Sequence, residues 1–280
     1  MKKMKYSKIT IVAVTIITLI LLSSPSVFAG AFKLNIYPPT TPIQPGIEMR
    51  EIRGVHQNIP TIFDNLLPNL WASQYTFIEV DEKPSWASVT FPDSTPITPP
   101  DGVEYELTGI VTVSEDAPAY DFGMVKLSIT TGKFARTIFP WIPGLGNEFK
   151  MDQSFQIQAG YIPSLSATNP LAVHLPPNSF KNVSFLVTNT ANAKSTLEFS
   201  VQQSDIPAGW NVITPGPNSV DAGDQVKILA TVYAPEGNES VDEWVHIPLN
   251  IHIKSVAEPT GASADYAVTI TAHCVSDDEY

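Results

Sequence analysis

The sequence predicts an all-β protein, two tandem β-sandwiches behind an N-terminal signal peptide. Three observations predict it. Apolar residues recur with period two, most plainly in Val245-His246-Ile247-Pro248-Leu249-Asn250-Ile251-His252-Ile253-Lys254, where the aliphatic positions fall on one face of an extended strand. Twenty-five prolines accompany 43% hydrophobic residues, a balance that suits short strands joined by rigid turns. The second half of the chain also repeats the first.

The N-terminal segment comes first. Lys2, Lys3, Lys5 and Lys8 precede an apolar run from Ile9 to Leu22, which Ser23-Ser24-Pro25-Ser26 breaks before Val27-Phe28-Ala29. That is the order of a signal peptide over residues 1–29. Its core is shorter than the roughly 20 residues of a membrane span. An uncleaved signal anchor is the alternative, and the one route by which a membrane enters. No cysteine follows the run, so a lipid anchor is not expected. The reading places the chain outside the cell, secreted or at the cell surface.

Without residues 1–29 the basic residues fall to 12 against 28 acidic, a net charge of −16. Such a surface repels phosphate backbones and anionic lipid, so nucleic acid is excluded as a natural partner. Cys274 is the only cysteine and cannot form an intrachain disulfide. The sandwiches must therefore be held by burial alone.

The repeat sets the architecture. Pro45-Gly46, a strand and Asn58 correspond to Pro177-Asn178, a strand and Asn189. Tyr75 to Val80 corresponds to Thr196 to Val201, and Pro84-Ser85-Trp86 to Pro207-Ala208-Gly209-Trp210. Pro100-Asp101-Gly102 matches Asp221-Ala222-Gly223, each ahead of another strand. Strands every 8–12 residues with turn signals between them describe immunoglobulin-like sandwiches of about seven strands. Further strands are expected at Val183–Thr188, Leu197–Gln202, Gln225–Tyr233 and Tyr266–Val275. Pro248 suggests that its strand lies at an edge or bulge. The domains are set at residues 30–165 and 166–280.

The second copy carries Val187-Thr188-Asn189-Thr190, Ile206-Pro207-Ala208-Gly209-Trp210, and Asp221-Ala222-Gly223-Asp224 before a strand closing at Ala234-Pro235. In these residues it resembles the NPCBM-associated, α-galactosidase-type immunoglobulin-like domains of prokaryotic extracellular proteins. The resemblance covers about residues 170–275, and the first copy matches more loosely. Members usually have Pro-Gly-Glu where this chain has Ala222-Gly223-Asp224. The resemblance implies a spacer or adhesive accessory role and brings no catalytic residues.

Candidate chemistry is sparse. Cys274 lies on the parity of Tyr266, Val268 and Ile270 and reads as a core thiol, with only His273 as a nearby basic group. His246 and His252 share a strand face but lie six residues apart, roughly 20 Å at about 3.3 Å per residue, too far to share an ion. His246 and His273 become neighbours if their strands form a hairpin, yet two histidines without a third ligand make a poor zinc site. Asp221 and Asp224 around Gly223, with Asp242-Glu243, lack the spacing of a calcium loop. No catalytic residue, metal site or cofactor is expected. Asn182-Val183-Ser184 and Asn238-Glu239-Ser240 are N-glycosylation sequons.

Two loops of the first domain stand out. Ile59 to Trp71 lies between its second and third strands, and Phe134 to Gly146 between its last two. Both are long and apolar, where the second domain has only Thr190–Lys194 and Ser255–Ser263. In an immunoglobulin-like sandwich these two loops leave from the same end. Phe63, Leu67, Trp71, Phe139 and Trp141 are the residues expected to form an apolar tip. Such a tip either meets a partner surface or folds onto the sheet as a private mini-core, with a short helix at Ile62–Trp71.

The expectation is a non-enzymatic binding or structural protein that contacts a protein partner, or another copy of itself, through this tip. One alternative is a subunit of an extracellular filament or surface layer, assembled by strand addition through Gly30–Tyr37. Another is a carbohydrate-binding accessory module.

Overall fold

The computed structural model describes residues 31–59, 74–91, 98–99, 101–133, 148–237 and 241–276. Among them the chain is all-β, with one turn of 3-10 helix at Gln203–Asp205. It divides into two compact units. The first ends at Gln158; the second runs from Ala159 onward and also takes in Glu115–Asp121.

Among its described residues the first unit has seven strands: β1 (Ala31–Tyr37), β2 (Met49–Ile59), β3 (Gln74–Glu82), β4 (Ala87–Thr90), β5 (Glu104–Val113), β6 (Phe122–Lys133) and β7 (Phe149–Gln158). One sheet runs β1-β2-β5-β4 and the other β3-β6-β7. In the letters of an immunoglobulin constant domain these are ABED and CFG. Ile52, Leu107, Val111, Leu127, Ile129 and Ile157 are among its buried aliphatic residues.

The second unit has nine strands: β8 (Leu165–Ala167), β9 (Val173–Leu175), β10 (Phe180–Asn189), β11 (Ser195–Ser200), β12 (Asn211–Ile213), β13 (Asn218–Val220), β14 (Gln225–Tyr233), β15 (Trp244–Ser255) and β16 (Ser263–Cys274). Its sheets run β12-β14-β10-β8 and β13-β11-β15-β16-β9. The first strand of the letter scheme is split here: β8 pairs antiparallel with β10, and β9 crosses to pair parallel with β16. The alternation in β15 does what period two requires. Val245, Ile247, Leu249, Ile251 and Ile253 are all buried.

Pro248 sits on a strand with neighbours on both sides, not on an outer strand. It is tolerated because β11 has already ended: the last β11 partner of β15 is Asn250, opposite Ser200, so Pro248 faces only Thr269. The position is a local edge inside a five-stranded sheet.

The repeat is visible in backbone conformation as well as in sequence. Gly46 and Asn178 both take positive φ, at 72° and 54°. Their N–H groups donate to equivalent carbonyls, Gly46 to Val113 and Asn178 to Pro235. Gly102 and Gly223 likewise sit at φ 73° and 82° and donate to the carbonyls of Asn58 and Asn189. Glycine is used there because a side chain strains this region of φ.

The expected boundary at 165/166 falls inside the second unit. Tyr161 is buried in that unit's core, with its hydroxyl 2.8 Å from Ser195 Oγ. Ile162 N–H donates to Asn192 Oδ1, which fastens the segment further. Pro163 therefore lies on the packed approach to β8 and does not mark a free linker.

Candidate functional site

The candidate site is the end of the first sandwich from which the two long loops leave. Residues 60–71 and 134–146 of the two loops lie outside the described residues, and Phe63, Leu67, Trp71, Phe139 and Trp141 with them. Their anchors are described. The pairing of β3 with β6 sets Gln74 opposite Lys133, and the pairing of β6 with β7 sets Thr131 opposite Phe149. The start of β3, the end of β6 and the start of β7 thus share one sheet end.

Thr98 ties the opposite sheet to this end. It exchanges both backbone hydrogen bonds with Gln74, at 2.9 Å each, and its carbonyl accepts from Asn58 Nδ2 at 3.4 Å. Asn58 is the penultimate residue of β2, so the first loop departs beside the clasp that receives its return. A further bond ties β3 to the residue that precedes β7. Tyr75 reaches from β3 to donate its hydroxyl to Glu148, the residue before β7, at 3.1 Å. Its ring lies so close to Gly132 that a Cβ there would stand 2.6 Å from the Tyr75 hydroxyl.

The interior changes character toward this end. On the buried parity of β6, Val125, Leu127 and Ile129 give way to Thr131; on β2, Ile52 and Gly54 give way to His56 and Asn58. Gln74, Thr76 and Thr98 join them, so six buried polar side chains underlie the loops. Thr131 Oγ1 donates to the Tyr75 carbonyl at 2.9 Å. Both ring nitrogens of His56, Asn58 Oδ1 and Gln74 Oε1 have no hydrogen-bond partner among the described residues. A buried polar atom without a partner costs about 1–3 kcal/mol.

His56 stacks on Tyr105, with ring centroids 5.5 Å apart. Tyr105 is steadied in turn by donating to Asp101 Oδ2 at 2.7 Å. That bond holds the Asp101 carboxyl below its usual range and pushes the tyrosine hydroxyl up. Burial lowers the pKa of His56, so its ring is held neutral. The polar layer was readable, in principle, as polar residues on the core parity of β2, β3 and β6; the expectation of an apolar tip did not include it.

Other anticipated residues fall elsewhere. Asn182 lies exposed within β10, its Oδ1 accepting from Thr231 Oγ1 at 2.9 Å. Asn238 lies outside the described residues, as do residues 1–30. Cys274 is fully buried, and burial, then the Glu243 charge, raises its pKa. His246 does not meet His273: its register partner is Thr271, whose hydroxyl lies 3.1 Å from its Nδ1. His273 meets His174 instead, because β9 crosses to the edge of the β15–β16 hairpin.

No family model matches the chain, and no curated protein does either. Solved structures with similar folds include a protein of unknown function from Porphyromonas gingivalis W83, at 10% identity and TM-score 0.32, covering 87% of this chain and 100% of that one. The class 5 fimbriae chaperone CfaA is similar at 11% identity and TM-score 0.28, covering 84% and 99%. The YadV chaperone is similar at 9% identity and TM-score 0.27, covering 85% and 99%. Likenesses this distant carry no argument about ligand or partner.

Proposed function

We propose that the chain is an exported, non-enzymatic binding or structural protein of the cell surface or the extracellular medium, and that the loop end of the first sandwich is its contact surface. The observation that carries the reading is the convergence of the loop anchors: Gln74 opposite Lys133, with Thr98 joining Asn58 to Gln74. The two apolar loop sequences that join this sheet end carry Phe63, Leu67, Trp71, Phe139 and Trp141, the residues assigned to the contact. Aromatic side chains dominate the energetics of such surfaces. The partner is a protein, either foreign or a second copy. The accessory-domain resemblance of residues 170–275 supports a spacer role for the second sandwich.

The test is solution mass by light scattering over a concentration series, together with binding of a fluorescent apolar dye, on residues 30–280 and on a Trp71→Ser/Trp141→Ser variant. Dye binding that the variant loses supports the contact surface. Mass that grows with concentration only in the unsubstituted protein makes the partner a second copy. Absence of dye binding with a monomeric mass throughout overturns the reading.

A second reading, a filament or layer subunit, has one observation in its favour. β1 stands at the edge of its sheet, already paired along its length with β2. Strand addition would therefore use the free side of β1 and would not require Ala31–Tyr37 to leave its own sheet.

A further inference from the structure

Three strands of the second sandwich bring a separate constellation together. The parallel pairing of β9 with β16 sets His174 opposite His273, and the antiparallel pairing of β16 with β15 sets His273 opposite Trp244. Their neighbours Leu175 and Cys274 are buried, so the row His174–His273–Trp244 lies on the outer face of the sheet.

The contacts within the row are close. Trp244 stacks on His273 with centroids 4.2 Å apart and planes 9° off parallel. His174 stands edge-on to both, at 5.5 Å from Trp244 and 5.2 Å from His273. The flanking rings leave the His273 side chain only 13% exposed, while Trp244 remains 51% exposed. Lys181 Nζ donates to the main-chain carbonyl of His174 at 3.3 Å.

Proton placement follows from the partners. His273 Nε2 lies 3.2 Å from Asp242 Oδ1, a carboxylate that only accepts, so Nε2 carries a hydrogen. In a neutral ring that leaves His273 Nδ1 with its lone pair. The Nδ1 atoms of His174 and His273 are 3.1 Å apart, so His174 is the donor. The carboxylate thus fixes the His273 tautomer and directs its Nδ1 lone pair at the neighbouring ring.

We propose that His174 and His273 form a two-histidine site for a divalent first-row transition ion, zinc or copper, with Asp242 as the carboxylate that orients His273. An ion about 2.05 Å from both Nδ1 atoms sees them at about 98°, between the square-planar and tetrahedral angles. Binding requires His174 to move its hydrogen from Nδ1 to Nε2 and both rings to tilt so that their lone pairs converge. Imidazole suits zinc and copper, and a ligating histidine whose other N–H is held by a carboxylate is the usual arrangement around such ions. Among the described residues no three His, Cys, Asp or Glu side chains gather at one point. Without the third protein ligand of a closed zinc site, this is a weak and open one, its remaining positions filled by water or by a group from outside.

The test is calorimetric titration of the tag-free full chain with zinc near neutral pH, and quenching of tryptophan fluorescence by copper. One ion per chain is expected, with binding lost in His174→Ala and in His273→Ala and kept in His252→Ala. His252 is a fair control because it pairs with Asp265 at 2.8 Å, away from the row. Asp242→Asn should weaken binding about 10–100-fold. Trp244→Phe should keep the zinc heat and lose most of the copper quenching, since Trp244 is the ring stacked on a ligand. The unfolding midpoint of each variant reports folding. If His273→Ala unfolds early, the exposed His174 on its short edge strand still decides the matter. No zinc heat up to millimolar concentration, or binding that survives His174→Ala, overturns the proposal.

Discussion

Asn58 and Asn189 occupy the same place in the two sandwiches, fully buried at the end of a strand, yet among the described residues only Asn189 is fully hydrogen-bonded. Asn189 Nδ2 donates to the carbonyls of Ala193 and Val220, and its Oδ1 accepts from Ala191 N–H and, at 3.4 Å, from Ser195 Oγ. Asn58 Nδ2 makes one long bond to the Thr98 carbonyl, and its Oδ1 has no partner among the described residues. The difference follows the loops. The short Thr190–Lys194 connection folds back on Asn189, whereas the connection after Asn58 is longer in sequence and lies outside the described residues.

The two asparagines should therefore respond unequally to truncation. Asn189→Ala leaves several buried groups unpaired and is expected to cost about 2–4 kcal/mol, whereas Asn58→Ala should cost ~1 kcal/mol or less. Denaturant unfolding of the two variants measures the contrast. Equal losses would mean that Asn58 is held as firmly as Asn189.

Gly123 is required by close approach. A Cβ there would lie 1.9 Å from Pro84 Cγ and 2.8 Å from Trp86 Cζ2, so the Pro84-Ser85-Trp86 corner packs directly on the β6 backbone. Gly123→Ala should destabilise by about 1–3 kcal/mol as the corner is pushed away. Gly216, with nothing within 4 Å of its Cβ position, serves as the control and should change stability by less than about 0.5 kcal/mol on substitution with Ala.

His56 sets a pH dependence whose sign is fixed by burial. Its folded pKa lies below the ordinary 6.5, so below about pH 6.5 the unfolded chain binds a proton that the folded chain refuses. Stability should be unaffected by this group above that value and should fall as pH drops from about 6.5 toward 5, before most carboxylates titrate. His56→Leu should flatten the curve in that window. A slope that persists in the variant would place its origin elsewhere.

Cys274 should be inert while the protein is folded. It is fully buried with a raised pKa, and the thiolate is the reactive form. A thiol reagent should label nothing under native conditions and one cysteine per chain in denaturant. Rapid native labelling would mean that the end of β16 opens readily.

Much of the fold is legible in the sequence, because period two and the repeat report directly on which face is buried. The β15 alternation, the Gly46/Asn178 and Gly102/Gly223 equivalences and the Asn58/Asn189 pair can all be found by comparing residues. The crossing of β9 to β16 cannot. Val173–Leu175 is three residues long, and nothing local states that it leaves the sheet of β8 to pair in parallel across the sandwich. The same crossing makes His174 the neighbour of His273, so the expected pairing of His273 with His246 missed the nearer ring. The loop end was legible only in part. Its apolar crown shows as composition, whereas the polar layer beneath depends on Gln74, Thr98 and Asn58 meeting from segments far apart in the chain.

The most direct test of the loop end as a contact surface is the unfolding free energy of the Trp71→Ser/Trp141→Ser variant against the unsubstituted protein. Side chains that face a partner are exposed in the free protein, so the expected difference is within about 0.5 kcal/mol. A loss on the order of 3–5 kcal/mol for each tryptophan would mean that both rings are packed in a mini-core of their own, and would contradict the contact surface.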